Sequence, residues 1–366
     1  MILCANPSAQ FAPYQAEIED AVLSVIRGKS FILGKEVEAL EKDFSSYIGT
    51  SNSVGVANGT DAIELALRAL DIGSGDEVIT VSHTAVATVA AIEASGAQAV
   101  LVDVDALTYT LNPLQLSEAY SQKTKAVIVV HLYGHSADLD AILEFCNVHK
   151  LFLIEDVSQA HGAKYKGARL GSIGHIGCFS CYPTKNLGAI GDAGLITTNN
   201  PNLAKKLCML REYGWNNRLS EYAGRNSRLD ELQAAILRIK LKHLDRDNKK
   251  RLDIAKFYLQ ELANIPLQLP KINLNVDHVF HLFVVQSDVR SLIIEYLKKN
   301  SIQAGIHYPV PIHLQPYYKD NIKTVSDMQI TENVANNILS LPIYPQLENH
   351  KTEKIVRTIK KFFELS

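Results

Sequence analysis

Between residues 54 and 197 the chain alternates short, unbroken apolar runs with longer stretches whose apolar residues recur every three or four positions. An unbroken run is the pattern of a strand buried on both faces, and the three-to-four spacing that of a helix with one buried side. The pattern predicts strands over 54–57, 77–81, 99–102, 126–130, 152–154, 176–179 and 194–197, with helices over 61–70, 84–94 and 139–149. Upstream, 13–26 and 36–47 are amphipathic, with Pro13 opening the first and Val37, Leu40 and Phe44 lining the second. Alternating strands and helices predict a mostly parallel sheet covered on both faces. Residues 228–244 read as one long helix carrying Leu229, Leu232, Ala235, Ile236 and Ile239 on a stripe. Downstream the pattern changes to strands over 280–285 and 303–307 and helices over 292–299 and 353–363. The expectation is an α/β chain with a large sheet domain over 1–245 and a small α+β domain over 246–366.

Composition narrows the field. The 366 residues are 47% hydrophobic and 21% charged, with a net charge of −2. That balance supports a large core and gives no reason to expect bulk binding to nucleic acid or an acidic membrane. The first seven residues lack the regions of a signal peptide. The apolar stretch 78–102 is broken by Ser82, His83, Glu93, Ser95, Gly96 and Gln98, so it reads as strand, helix and strand rather than a membrane span. A cytoplasmic setting is expected. The five cysteines are odd in number and scattered, which argues against a disulfide framework. Cys178 and Cys181 form a C-x-x-C, yet no second pair completes a zinc set, and no metal is expected.

The candidate chemistry centres on Lys185. It lies in a turn, Ser-Cys-Tyr-Pro-Thr-Lys, that follows the run 176–179, and Gly188, Gly191 and Gly194 surround it. Upstream, the strand 152–154 ends in Glu155-Asp156. A strand-end carboxylate with a lysine in a Ser-containing turn is a way to hold pyridoxal phosphate (PLP). The amine forms a Schiff base with the cofactor aldehyde, and the carboxylate keeps the pyridine nitrogen protonated. Ligands in parallel sheets bind beyond the carboxyl ends of strands. Thr60, His83, Asp156 and Lys185 all follow predicted strand ends, which points to one site.

Five segments carry a resemblance: Asn58-Gly59-Thr60-Asp61, Ser82-His83-Thr84, residues 155–163 (EDVSQAHGA), 180–185 (SCYPTK) and 224–235 (GRNSRLDELQAA). Together they are similar to the DegT/DnrJ/EryC1/StrS family of PLP-dependent nucleotide-sugar aminotransferases, over nearly the whole chain. The resemblance implies the aspartate-aminotransferase fold (PLP fold type I) and a homodimer with shared active sites. It implies Lys185 as Schiff-base lysine and proton shuttle, Asp156 as partner of the ring nitrogen, and Gln159 beside the ring. Gly59, Thr60 and Asp61 open a helix whose amides suit the phosphate, Asp61 through its amide because its carboxylate would repel. Ser180 matches the family's phosphate serine, and Asn226 the asparagine that reaches the phosphate from the second subunit. His83 stands where the family stacks a planar side chain on the ring; many members have Trp or Phe there.

For substrate the resemblance points to residues 305–316 (GIHYPVPIHLQP), with His307, Tyr308 and His313 as hydrogen-bonding candidates, and to Phe31 in an early loop. Tyr182, Tyr222 and Arg225 are further candidates. The implied reaction takes an amino group from L-glutamate, passes through pyridoxamine phosphate, and delivers it to a nucleotide-linked keto sugar. The segment around Tyr308 looks most like members that aminate C3 of a dTDP-3-keto-6-deoxyhexose; amination at C4 is the alternative. Lys185 argues against the family's dehydratases, which carry histidine at that position. No cysteine is placed for a desulfurase. A non-catalytic regulator of the same fold is the reading from a different class.

Overall fold

The structure is a computed structural model that describes residues 1–325 and 327–365. Helices α1 (Gln15–Ile26) and α2 (Lys35–Ile48) lead into β1 (Asn52–Val56), α3 (Gly59–Ala69), β2 (Glu77–Val81), α4 (Val86–Ser95), β3 (Gln98–Val102) and β4 (Thr124–Val130). Next come α5 (Leu139–His149), β5 (Phe152–Asp156), β6 (Ile176–Ser180), β7 (Gly194–Thr198), α6 (Pro201–Leu210), α7 (Glu231–Leu241) and α8 (Leu244–Glu261). The remainder holds β8 (Phe283–Gln286), α9 (Arg290–Lys299), β9 (Lys323–Thr324), α10 (Gln329–Asn337), β10 (Ile338–Leu341) and α11 (Asn349–Leu365).

The large sheet runs β1-β7-β6-β5-β4-β2-β3-β9. Strand β7 is antiparallel to both its neighbours, and every other pairing is parallel. Strands β1 to β6 therefore point the same way and bring their carboxyl ends to one edge. Both faces are covered, and the alternation is visible within single strands. In β4, Val127 and Val129 join one core cluster while Ala126 and Ile128 join the cluster on the opposite face. Residues facing apolar surroundings on both sides leave no polar position, which is why the strands read as unbroken runs.

A third cluster gathers Phe283, Val285, Leu339, Leu341, Ile355 and Ile359 around the antiparallel pair β8–β10. It draws on the stretch expected as the second domain, yet Val276, Val279, Leu282, Val284, Val334 and Ile338 of that stretch pack in a cluster on the large sheet. Ile2 packs into this cluster and bridges Ile302, and β9 adds to the edge of the large sheet beside β3.

Three expected elements differ. Pro13 lies in a 3-10 turn (Ala12–Tyr14) between a short helix, Pro7–Phe11, and α1. The long helix expected over 228–244 is shorter, and α8 starts as a new helix after His243. Glu231, the first residue of α7, has its task in α2. Its carboxylate accepts the backbone N–H groups of Gly34, Glu36 and Val37 at 2.8, 3.1 and 3.0 Å, closing the open end of α2. The strand expected over 303–307 forms only a single bridge, Gly305 to Ser340. Pro309 and Pro311 follow it, and proline offers no N–H to extend a ladder.

Candidate active site

A cavity of about 490 Å³ opens at the carboxyl edge of the sheet, between the ends of β4, β5 and β6 and the start of α3. Gly59, Thr60, Asp61, Asp156, Gln159, Ser180, Tyr182 and Lys185 line it. These candidates come from three separate segments of the chain, and the parallel strands bring them together. A larger hollow of about 620 Å³ lies elsewhere and carries Asp105, Asp138 and Glu144 with no lysine or arginine. That charge is wrong for a phosphate.

Glu155 and Asp156 are adjacent, and the strand's two-residue period sends them to opposite faces. Glu155 is buried under the sheet. It accepts from the Gly171, Ile173 and Gly174 amides at 2.8, 2.9 and 2.7 Å and meets His131 Nε2 at 3.1 Å. Burial works to raise its pKa; His131 and the Gly171 and Gly174 amides outweigh that and hold it below the ordinary carboxylate value. Glu155 thus has a structural task. Asp156 faces the cavity and is 5% exposed. Its Oδ2 accepts the Thr88 hydroxyl at 2.9 Å and its Oδ1 the Ser158 amide at 3.1 Å.

Lys185 is held by its loop rather than by its own amine. Its N–H donates to the Tyr182 carbonyl at 2.9 Å; Cys181 and Ala189 close the turn, and Lys240 Nζ donates to the Gly188 carbonyl at 2.8 Å. A Cβ on Gly188 would lie 2.5 Å from the Pro183 carbonyl oxygen, so only glycine lets the turn close here. The Lys185 ammonium makes no hydrogen bond or ion pair among the described residues. Burial lowers its pKa to about 8, against the opposing pull of Asp156 and Cys181. An amine so poised is partly neutral, and hence nucleophilic, near physiological pH.

The anion end is built on α3. Asn58 caps the helix, its Oδ1 accepting the Asp61 N–H at 2.8 Å. This corrects the expectation for Asp61, whose amide is spent on the cap. The amides of Gly59 and Thr60 remain without partners among the described residues. The Asp61 carboxylate lies 3.3 Å from Arg225 Nη2, and Arg225 Nη1 also pairs with Glu64. Ser180 Oγ accepts from the Tyr182 amide at 3.4 Å, which leaves its own proton free to donate. Free amides, two hydroxyls and a helix N-terminus make a cradle suited to a phosphate.

Other candidates stand in the walls or outside. Gln159 Nε2 donates to the Tyr308 hydroxyl at 3.0 Å, and its Oε1 accepts the Tyr133 amide at 2.8 Å. Burial, with the nearby Asp156 charge, pushes the Tyr308 phenol up to about 12 despite the Gln159 bond, so it stays protonated. His83 is buried behind the cavity rather than lining it. Its Nε2 lies 2.7 Å from the Tyr133 hydroxyl, and burial lowers its pKa to about 4. His307 Nδ1 meets Ser340 Oγ at 2.8 Å. His313 has both ring nitrogens engaged, Nδ1 with Ser82 Oγ at 2.7 Å and Nε2 with Glu332 at 3.2 Å, and does not line the cavity. Phe31 (57% exposed) and Asn226 are on the surface, away from this chain's own cavity, as is Tyr222. The five cysteines are free.

Thr88 and Tyr133 escaped the sequence reading. Thr88 belongs to a helix that shows no periodic break, and its partner is 68 residues away. Tyr133 lies in the turn after β4, with φ of 60°. Its position just past a strand end was the available signal.

With this geometry in hand, the family model for the DegT/DnrJ/EryC1/StrS aminotransferase family matches residues 13–360. The dTDP-3-amino-3,6-dideoxy-alpha-D-galactopyranose transaminase of Aneurinibacillus thermoaerophilus is 45% identical over 350 residues, covering 95% of this chain and 96% of that one. The dTDP-3-amino-3,4,6-trideoxy-alpha-D-glucose transaminase of Streptomyces venezuelae is 42% identical over 358 residues, covering 97% and 94%. Among solved structures, S. venezuelae DesV in complex with a ketimine intermediate superposes with a TM-score of 0.96 at 41% identity, covering 100% of this chain and 98% of that one.

Proposed function

This chain belongs to the DegT/DnrJ/EryC1/StrS aminotransferase family, and we propose that its cavity binds PLP and moves an amino group from L-glutamate to C3 of a dTDP-3-keto-6-deoxyhexose. One observation carries the reading. A partnerless lysine, a carboxylate fixed by two donors and an anion cradle share one cavity of about 490 Å³. The residues fit the cofactor. Gly59 packs directly against Ser180 because it has no side chain, and the Gly59 and Thr60 amides are unspent.

Bound PLP supplies an aldehyde to hold the amino group and a ring that draws electrons from the reacting carbon. The protein does the rest. Gly59, Thr60 and Ser180 bind the phosphate. Asp156, whose remaining lone pairs face the cavity, would hold a proton on the ring nitrogen. Gln159, locked between Tyr133 and Tyr308, fixes the wall beside the ring, and His83 supports that wall through Tyr133. Lys185 would hold the cofactor aldehyde through its amine and, when free, would carry a proton at Nζ between two carbons. A pKa of about 8 suits both tasks, because the amine can accept and return a proton near neutrality.

The substrate side rests on Tyr182 at the cavity mouth, on His307 and Tyr308, and on residues supplied by a second copy. Asn226 and Phe31 are exposed outside their own cavity, which supports a homodimer in which each completes the partner's site. Arg225 ties the loop bearing Asn226 to α3. Free cysteines suit the reducing cytoplasm. No described helix is long and apolar enough to cross a membrane.

The names of the two relatives support C3 over C4. The test is an amination assay with glutamate and a panel of dTDP-3-keto and dTDP-4-keto 6-deoxy sugars, with the product position read by NMR. Amination at C4 alone overturns the C3 assignment. A wild type that cannot be reconstituted with PLP overturns the enzyme reading in favour of a regulator.

A further inference from the structure

We propose that Thr88, with Thr84 behind it, is a positioning residue that sets the orientation of Asp156, an inference that rests on reading the cavity as a PLP site.

Thr88 is the third residue of α4 and is completely buried. Its hydroxyl lies 2.9 Å from Oδ2 of Asp156. An ionised carboxylate only accepts, so Thr88 is the donor. Thr84 Oγ1 lies 3.3 Å from Thr88 Oγ1. Because the one proton of Thr88 is spent on Asp156, that second contact is donated by Thr84. The direction runs Thr84 to Thr88 to Asp156, and Thr84 itself lines the cavity.

The other carboxylate oxygen takes the Ser158 amide at 3.1 Å. Both oxygens are thereby tied, and the group cannot rotate without breaking one bond. The backbone beneath it is also fixed, since the Asp156 carbonyl accepts the His131 N–H at 3.1 Å. The lone pairs left over face the cavity in one orientation. Thr88 and the Ser158 amide thus supply hydrogen bonds to a carboxylate only 5% exposed. Thr88 thus governs how firmly the ring nitrogen keeps its proton without touching the cofactor.

A purely packing role predicts something different. Valine has nearly the shape of threonine and suits a dry core, so Thr88→Val would then be harmless. The experiment uses the full chain stripped of cofactor. PLP affinity is measured by titration, and the absorption spectrum of the reconstituted protein is recorded for wild type, Thr88→Val and Thr88→Ser. Loss of a hydrogen bond to a charged group predicts roughly a tenfold or greater weakening of PLP binding in Thr88→Val, with a smaller share of the long-wavelength yellow band. Thr88→Ser keeps the hydroxyl and stays within about threefold of wild type. If Thr88→Val does not fold, Thr84→Val removes the donor behind it, and a spectral shift in the same direction is expected. Wild-type affinity and spectrum in Thr88→Val, or equal damage in Thr88→Ser, overturns the proposal alone. A wild-type protein that takes up no PLP sinks the parent reading and this one with it.

Discussion

Gly59 and Ser180 approach so closely that a Cβ on Gly59 would stand 2.5 Å from the Ser180 Cβ and 2.9 Å from its Cα. The first residue of α3 and the last of β6 are thus in direct contact, and the proposed phosphate site is built on that contact. Gly59→Ala forces the two elements apart where the backbone itself is in the way. The overpacking costs about 1–3 kcal/mol of stability. The larger effect is on the cradle. We expect the variant to fold with a lowered melting temperature and to lose PLP on dialysis that leaves wild type yellow. Retention of colour equal to wild type would place the phosphate elsewhere.

Lys185 should capture its cofactor with a pH profile unlike that of an ordinary lysine. Burial lowers its pKa from 10.5 to about 8. The neutral amine is the reactive form, so its population climbs roughly tenfold per pH unit below 8 and levels off above. Stopped-flow mixing of cofactor-free protein with PLP at several pH values reads this directly. A rate that keeps rising through pH 9 and 10 would show an unperturbed lysine. Lys185→Ala should be colourless at every pH.

Much of this site was legible because it lies where the strands are legible. The strand over 77–81 and the helix over 139–149 fall where the apolar pattern puts them, since both are set by burial in the sheet layers. Helix α8 was hidden for the opposite reason. Its sequence begins with a charged run, yet Asp247, Asn248 and Arg251 are buried in it. Arg251 Nη1 donates to the carbonyls of Phe280, His281 and Ile343, partners no local pattern announces. The same limit applies at the site. Lys185, Asp156 and the glycines could be named from short segments. The spent amide of Asp61, the two partners of His313 and the hydroxyl pair behind Asp156 depend on contacts across the fold.

Arg225 offers a test of the electrostatics at the cradle. It is the cation between Asp61 and Glu64, and Arg68 shares only the latter, at 2.8 Å. Arg225→Gln leaves the Asp61 carboxylate unpaired one turn from the bound phosphate. The side chain is partly exposed, so stability should change little. PLP affinity should fall by roughly threefold to tenfold at low salt, and the deficit should shrink as salt screens the repulsion. Isothermal titration at two ionic strengths measures both. A loss that does not respond to salt would mean that Arg225 acts by shaping the loop that carries Asn226.

Acid stability provides a check on the core beneath the turn that carries Lys185. His161 is 1% exposed and has no hydrogen-bond partner on either ring nitrogen among the described residues. Burial, with the charges of Lys185 and Lys240, lowers its pKa to about 3. An unfolded histidine titrates near 6.5, so between those values the unfolded chain binds a proton that the native one refuses. Stability from this residue is therefore full above pH 6.5 and is lost progressively as the pH falls toward 3. By pH 5 the loss is about 2 kcal/mol. His83, lowered to about 4 by burial, acts in the same direction. Urea melts of the cofactor-free protein at pH 7.5 and pH 5 should show the decline, and His161→Gln should make it smaller by about 2 kcal/mol. An unchanged slope in the variant would mean that His161 is already protonated in the native state, with an anion beside it.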